Sequence, residues 1–346
     1  MSEGPLSTVG VIGAGAWGTA LAQMLASDGR TVLLWAREAE LVAAINADRV
    51  NTPYLPGIAL HPTIRATNDL DELSGLATVL VVTPAQHMGT VLAGLAGFSG
   101  DLVLCSKGIE AGTERMMADV ARAVVPGAAL AVLSGPTFAH EVAAGLPTAV
   151  TLACSDGETQ WQRLSPVIAR PAFRPYFSRD VIGAEIGGAV KNVLAVACGV
   201  VEGLRLGQNA RAALIGRGHA EMVRFGVAMG AQAETLSGLS GLGDLVLTCT
   251  STASRNFTLG KALGEGGSAA ALLGDRRTVA EGAFTAPVLA GMARERGIAM
   301  PIAEAVAALV SDRVPARAIV DTLLARPLRA EVEAGVPYAG GEDSLG

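Results

Sequence analysis

The sequence predicts an α/β domain built on a doubly wound sheet, followed by an all-helical domain. Three observations carry this. Short β-rich runs alternate with helical patterns over the first 178 or so residues. The first of those runs leads into a glycine-rich turn that opens a helix. After Asp180 the strand signal stops, and apolar residues recur at helical spacing.

Residues 8–12 are a β-rich apolar run. Gly13-Ala-Gly-Ala-Trp-Gly18 follows, then a helical pattern ended by Gly29 and a second strand at residues 31–35. Strand, G-x-G-x-x-G, helix, strand is the Rossmann-like context for a dinucleotide. Gly13 permits the tight turn, Gly15 lets a pyrophosphate touch the backbone, and Gly18 lets helix and strand pack closely. The helix N-terminus then faces the phosphates. At the end of the second strand a site for NAD usually places an acidic residue on the ribose. Here the residues are Trp35-Ala36-Arg37. Arg37 suits a 2′-phosphate, which favours NADPH with NADH as the alternative. A solvated arginine at a helix start is the competing reading.

Alternation continues. A helix is expected at 41–47, a Pro/Gly-punctuated loop at 51–57, and strands at 64–67 and 78–82. Pro84 should start a helix running to about Ala96. The strand at 102–105 runs into Ser106-Lys107-Gly108-Ile109, which puts Lys107 just past a strand's carboxyl end, where open α/β sheets bind ligands. The strand at 130–133 ends in Ser134-Gly-Pro-Thr137, before a helix at 138–144. Peptide N–H groups near Thr137 can hold an anion or a carboxamide. Two further strands are expected at 149–154 and 172–177.

The second domain should open with a helix at 185–202, in which Lys191 is the one charge between two glutamates. This apolar run looks too short and too glycine-rich to cross a bilayer, so it should be buried nearly all round. A buried ammonium is costly unless an anion meets it. Gly187 and Gly188, one turn before the lysine, would leave room for a ligand. Taken alone, Lys191 reads first as a lysine snorkelling out at a domain edge or paired with a buried carboxylate. Further helices are expected at 212–229, 257–263, 286–296, 302–310 and 320–324. Asp244 lies between glycines and an apolar helix start, where capping is the plain reading, as it is for Ser254. Arg255 at a helix start is harder to dismiss, because the helix dipole disfavours a cation there without an anion. Glu281 belongs to a polar island, residues 279–282, that also reads as a plain turn.

Composition sets bounds on all this. The 346 residues are 50% hydrophobic, 17% charged and only 4% aromatic, so large cores must be aliphatic. They divide into a dinucleotide-binding domain at 1–178, a substrate domain at 179–335 and a frayed tail at 336–346. A net charge of -6 gives no footprint for nucleic acid. Cys105, Cys154, Cys198 and Cys249 are scattered in apolar contexts and read as free thiols of a reducing compartment. The four histidines lack metal-ligand spacing, so no metal is expected. No signal peptide or membrane insertion is expected, and the chain should be cytoplasmic.

The chain is similar to the NAD(P)-dependent glycerol-3-phosphate dehydrogenases. The matching motifs are Gly13-Ala-Gly-Ala-Trp-Gly-Thr-Ala-Leu-Ala22, Ser106-Lys-Gly-Ile109, Ser134-Gly-Pro-Thr-Phe-Ala139, Glu185-Ile-Gly-Gly-Ala-Val-Lys-Asn-Val193, Asn209-Ala-Arg-Ala-Ala-Leu-Ile215, Gly241-Leu-Gly-Asp244 and Ser254-Arg-Asn256. They occur in family order over about residues 8–325. Ala16 stands where a serine is frequent, and Gly216 replaces a common threonine. The resemblance implies reversible reduction of dihydroxyacetone phosphate to sn-glycerol 3-phosphate for glycerophospholipid synthesis, with Lys191 transferring the proton. It implies a substrate site of Lys107, Gly135, Thr137, Lys191, Asp244, Ser254, Arg255 and Asn256. Ala16, Trp17, Arg37, Lys107, Ala139, Arg255 and Glu281 would contact the cofactor. Two alternatives stay open at this point: a hydroxy-acid dehydrogenase of the same plan, and a non-catalytic NADPH-binding regulator. A homodimer is conceivable if the Ala-rich helical domain leaves an apolar face open.

Overall fold

The structure, a computed structural model, describes residues 7–274 and 280–325. Eight strands form one sheet: β1 (Val9–Ile12), β2 (Val32–Trp35), β3 (Ile64–Thr67), β4 (Thr78–Val81), β5 (Asp101–Leu104), β6 (Ala129–Ser134), β7 (Thr148–Cys154) and β8 (Phe173–Ser178). Their order across the sheet is β3-β2-β1-β4-β5-β6-β7-β8. Every strand expected from the sequence is present. β1, β4 and β5 are buried along their whole length, which is why residues 79–81 and 102–104 read as continuous apolar runs rather than alternating ones.

The first six strands are parallel, but β7 pairs with β6 antiparallel, and β8 follows β7. The reason lies in the connection. Between β6 and β7 the only helix is α5 (Ala139–Ala143), five residues long. At 1.5 Å per residue it rises about 7 Å, too little to return the chain along the sheet for a parallel crossover. From β7 to β8 the longer α6 (Glu158–Ile168) makes a parallel crossover.

The edge strand β8 is guarded. Thr148 N–H donates to Ala172 O at 2.8 Å, on the β7 side, while Phe173 exchanges both its backbone groups with Arg170 at 2.9 and 3.0 Å. By the alternation of a parallel ladder, Pro175 also turns its backbone to the free side, where it has no N–H to offer.

Helices cover both faces: α1 (Ala16–Ala26), α2 (Ala39–Asp48), α3 (Met88–Leu92), α4 (Met117–Val124), α5 and α6. One apolar cluster joins Leu21, Leu25 and Ile45 to Val9, Val11 and Leu34. The other joins Leu92, Phe98 and Val120 to Ile12, Val79 and Leu102. The single helix expected over 84–96 is instead α3 between two 3-10 turns, Ala85–His87 and Ala93–Leu95. Gly89 and Gly94 lower its helical propensity.

The remainder of the described chain is helical: α7 (Val181–Gly203), α8 (Gln208–Ala228), α9 (Ala233–Ser237), a π-turn (Leu239–Gly243), α10 (Asp244–Cys249), α11 (Arg255–Gly264), α12 (Ala269–Leu273), α13 (Glu281–Glu295), α14 (Pro301–Val310) and α15 (Ala316–Leu324). The expected tail, the end of the expected substrate domain and Val279 lie outside the described residues. α7 has 23 residues and is long and apolar enough to cross a membrane, contrary to the sequence expectation. What marks it as a core helix is burial without a break over residues 183–201, wrapped by α8, α10, α11 and α13. Glycines let α11 press against it. A Cβ at Gly260 would lie 2.0 Å from Val196 O, and one at Gly199 would lie 2.1 Å from Phe257 O.

Candidate active site

The middle of α7 carries Lys191 to where the carboxyl end of the sheet meets the helices. Only 7% of Lys191 is exposed, so its ammonium must find partners within the protein. Its Nζ donates to Asp244 Oδ1 at 3.0 Å and to Thr248 Oγ1 at 2.9 Å. Thr248 donates onward to the same Asp244 oxygen at 3.2 Å. The other oxygen of Asp244 accepts from Lys107 Nζ at 2.6 Å, and Lys107 also donates to Gly135 O at 3.2 Å. One fully buried carboxylate thus holds two lysines from opposite sides, Lys107 from the end of β5 and Lys191 from α7.

The electrostatics follow from this arrangement. Burial pushes Lys191 down to about 8, with Lys107 pushing the same way and Asp244 resisting. For Asp244, burial alone would raise the carboxyl, but Lys107 and Lys191 outweigh it and hold it below its ordinary value.

Asp244 does not cap its helix. It is the first residue of α10 and follows the π-turn, and Gly243 takes the cap position. Its side chain is therefore free for the lysines. Thr248 is a partner that sequence reasoning missed. One turn after Asp244 on the same face of α10, it looks like core in an apolar helix.

The glycines beside Lys191 do not leave space for a ligand. A Cβ at Gly187 would lie 2.4 Å from Ser240 O, and one at Gly188 would lie 3.0 Å from Ser134 Oγ and 3.2 Å from Lys107 Cγ. They admit protein instead: Gly187 the π-turn that leads into Asp244, Gly188 the stem of Lys107. Close approach was the right physics with the wrong occupant.

A second polar group lies where α7, α11 and α13 meet. Ser254 caps α11, accepting from Phe257 N–H at 3.3 Å. Asn256 donates to Asn192 Oδ1 at 2.9 Å and accepts from Gly282 N–H at 2.9 Å, so one of its amide hydrogens stays available. Arg255 opens α11 and is exposed. Thr137 is half-buried, and its hydroxyl donates to Gly135 O at 3.3 Å. Gly135 adopts φ 155°, with Val150 Cα only 2.9 Å from where a Cβ would be.

The turn between β1 and α1 lies at the carboxyl end of the same sheet. Gly13 has φ 111°, Gly18 would drive a Cβ to 1.8 Å from Gly13 O, and Gly15 faces open space with nothing within 4 Å. Ala16 and Trp17 open α1, and Trp17 Nε1 is buried with no partner among the described residues. Ala139 opens α5, which packs against α1. Arg37 is exposed and paired with Glu38 at 2.8 Å. Glu281, the first residue of α13, accepts from Ala85 N–H at 3.3 Å across to the sheet. Its other oxygen is buried with no partner among the described residues, and burial raises the carboxyl to about 7. An open glycine at a helix N-terminus, with Trp17 Nε1 and Glu281 Oε2 unsatisfied among the described residues, fits a dinucleotide.

The sheet, its glycine turn and the buried lysine–carboxylate cluster define a two-domain, dinucleotide-dependent dehydrogenase. Comparison with known proteins makes this particular. The profile described as NAD-dependent glycerol-3-phosphate dehydrogenase N-terminus matches residues 8–160, and the C-terminus profile matches 180–321. The chain belongs to that family. It is 72% identical over 323 residues to a glycerol-3-phosphate dehydrogenase (NAD(P)+) of Novosphingobium aromaticivorans, covering 93% of this chain and 98% of that one. The corresponding enzyme of Erythrobacter litoralis is 68% identical, covering 94% and 98%. Among solved structures, a glycerol-3-phosphate dehydrogenase of Coxiella burnetii superposes with a TM-score of 0.88 at 38% identity, over 92% of this chain and 99% of that one.

Proposed function

We propose that this protein reversibly reduces dihydroxyacetone phosphate to sn-glycerol 3-phosphate with NADPH, or NADH, supplying glycerophospholipid synthesis. The observation that carries the reading is Lys191 Nζ, buried between Asp244 and Thr248 at the carboxyl edge of the sheet. The name shared by the curated relatives favours a phosphorylated triose over a hydroxy acid.

The nicotinamide, when bound, supplies or accepts the hydride. Lys191 stabilises the charge that grows on the C2 oxygen and gives it a proton. A pKa of about 8 leaves the ammonium dominant at neutral pH and the amine accessible for the reverse oxidation. Asp244 and Thr248 aim the ammonium. Arg255, with Ser254 and Asn256, takes the phosphate, Arg255 binding two oxygens at once. Lys107, Gly135 and Thr137 complete the substrate wall. Gly13, Gly15, Ala16, Trp17 and Gly18 cradle the pyrophosphate side, Arg37 the 2′-phosphate, and Ala139, Lys107, Arg255 and Glu281 the remainder of the cofactor. In this reading residues 1–178 bind the dinucleotide and 179–335 close on the substrate. We place the enzyme in the cytoplasm, since Cys105, Cys154, Cys198 and Cys249 are buried free thiols.

The test is Lys191→Ala, followed by NADPH absorbance with dihydroxyacetone phosphate. Turnover should fall at least about a hundredfold while NADPH affinity stays close to wild type. Turnover near the wild-type value would remove Lys191 from the chemistry.

A further inference from the structure

The loop after α2 sends one side chain into the base of the glycine-rich turn. Asn51 is completely buried. Its Nδ2 donates to Ala14 O at 2.9 Å and to Thr19 Oγ1 at 2.7 Å. Thr19, also fully buried, donates its own hydroxyl hydrogen to Ala14 O at 3.2 Å. Both amide hydrogens and the hydroxyl hydrogen find acceptors, while Asn51 Oδ1 is buried with no partner among the described residues. The loop that delivers Asn51 is itself tied to α1, because Gln23 accepts from His61 N–H at 2.7 Å.

The Ala14 carbonyl is therefore pulled inward by two donors. A trans peptide points its C=O and its N–H in opposite directions. Holding Ala14 O toward the core thus turns the Gly15 N–H outward, at the start of α1, on the side where Gly15 leaves open space. We propose that Asn51, with Thr19, is a positioning residue that presets the Ala14–Gly15 peptide so that its N–H faces the pyrophosphate of the cofactor. Without that network the peptide is free to flip and present a carbonyl oxygen to an anion. The inference rests on the reading of the glycine turn as the cofactor cradle.

Asn51→Asp tests it, because a carboxylate of the same shape has no hydrogen to give and repels Ala14 O. NADPH affinity, measured by its fluorescence, should weaken about tenfold or more. At saturating cofactor, kcat and the KM for dihydroxyacetone phosphate should change by less than about threefold, a split that a general loss of packing would not produce. Should Asn51→Asp fail to fold, Thr19→Val decides. It keeps the shape, removes one donor and should weaken NADPH about threefold, while Thr19→Ser restores wild-type affinity. Gly15→Val is the reference for the cradle itself. If it weakens NADPH but Asn51→Asp and Thr19→Val do not, the positioning role is wrong and the cradle stands. If Gly15→Val also binds normally, the cradle is wrong and the inference falls with it.

Discussion

Asp244 has no contact with water, and its charge survives because two ammonium groups share it. Removing that charge with Asp244→Asn leaves the buried Lys191 and the half-buried Lys107 facing each other without an anion between them. Asp244 is what resists the downward push on Lys191, so the variant's Lys191 should titrate below the wild-type value of about 8. The wild-type rate of ketone reduction should fall as pH rises through about 8, as the ammonium is lost, and the rate of alcohol oxidation should rise over the same range. In Asp244→Asn both midpoints should move to lower pH, and kcat/KM for reduction at neutral pH should drop by about tenfold or more. Profiles of kcat/KM in both directions check this, and unmoved midpoints would remove Asp244 from control of the lysine. Lys191 is legible in the sequence because it is a lone charge in an apolar run. Asp244 is legible only as a helix-start residue, because its partners lie 53 and 137 positions away. Thr248 gives no signal at all, since a buried threonine in an apolar helix looks the same whether or not it holds a lysine.

At the scale of elements, glycine has opposite meanings in two helices. Gly260 of α11 sits against the backbone of α7, and an added Cβ would lie 2.0 Å from Val196 O. Gly216 of α8 is exposed, with nothing within 4 Å of its Cβ position. Gly260→Ala should therefore destabilise by about 1–3 kcal/mol or more through overpacking. Gly216→Ala should stabilise by up to about 1 kcal/mol through helix propensity. Urea melts distinguish them, and equal effects would mean that the α7–α11 contact is not held by close backbone approach. The strands and the two longest helices, α7 and α8, were readable because each carries its own period. α4 was not, because its start is made elsewhere: Met116 precedes it with no capping side chain, and Glu185 of α7 accepts from Ala118 N–H at 2.7 Å. The reversal at β7 was equally hidden, since alternation of side chains is the same in either strand direction.

For the whole molecule, that Glu185 contact ties the helical half to the sheet half through a buried acid. Burial pushes Glu185 up to about 8, against the Ala118 and Met117 N–H groups that hold it down. The folded state then keeps a proton that the unfolded chain has released above its ordinary value of 4.5. The sign follows: this stabilisation is complete below about 4.5, declines as pH rises, and is gone once pH passes about 8. Glu185→Gln, which keeps the acceptor without the charge, should match wild type at low pH and exceed it by about 1–3 kcal/mol at about pH 9. Melts across that range read it directly, and parallel curves for the two proteins would show that Glu185 does not titrate there.

The sheet itself ends at β8 in a way that reaches beyond one chain. A free strand edge is an invitation for a stranger's backbone to zip on, and a long parallel sheet is slow to form, so such edges stay bare during folding. With Phe173 already bonded to Arg170 and Pro175 lacking a hydrogen to lend, much of the ninth place in the ladder is taken. A second copy of the chain therefore finds few backbone groups along β8 on which to extend the sheet.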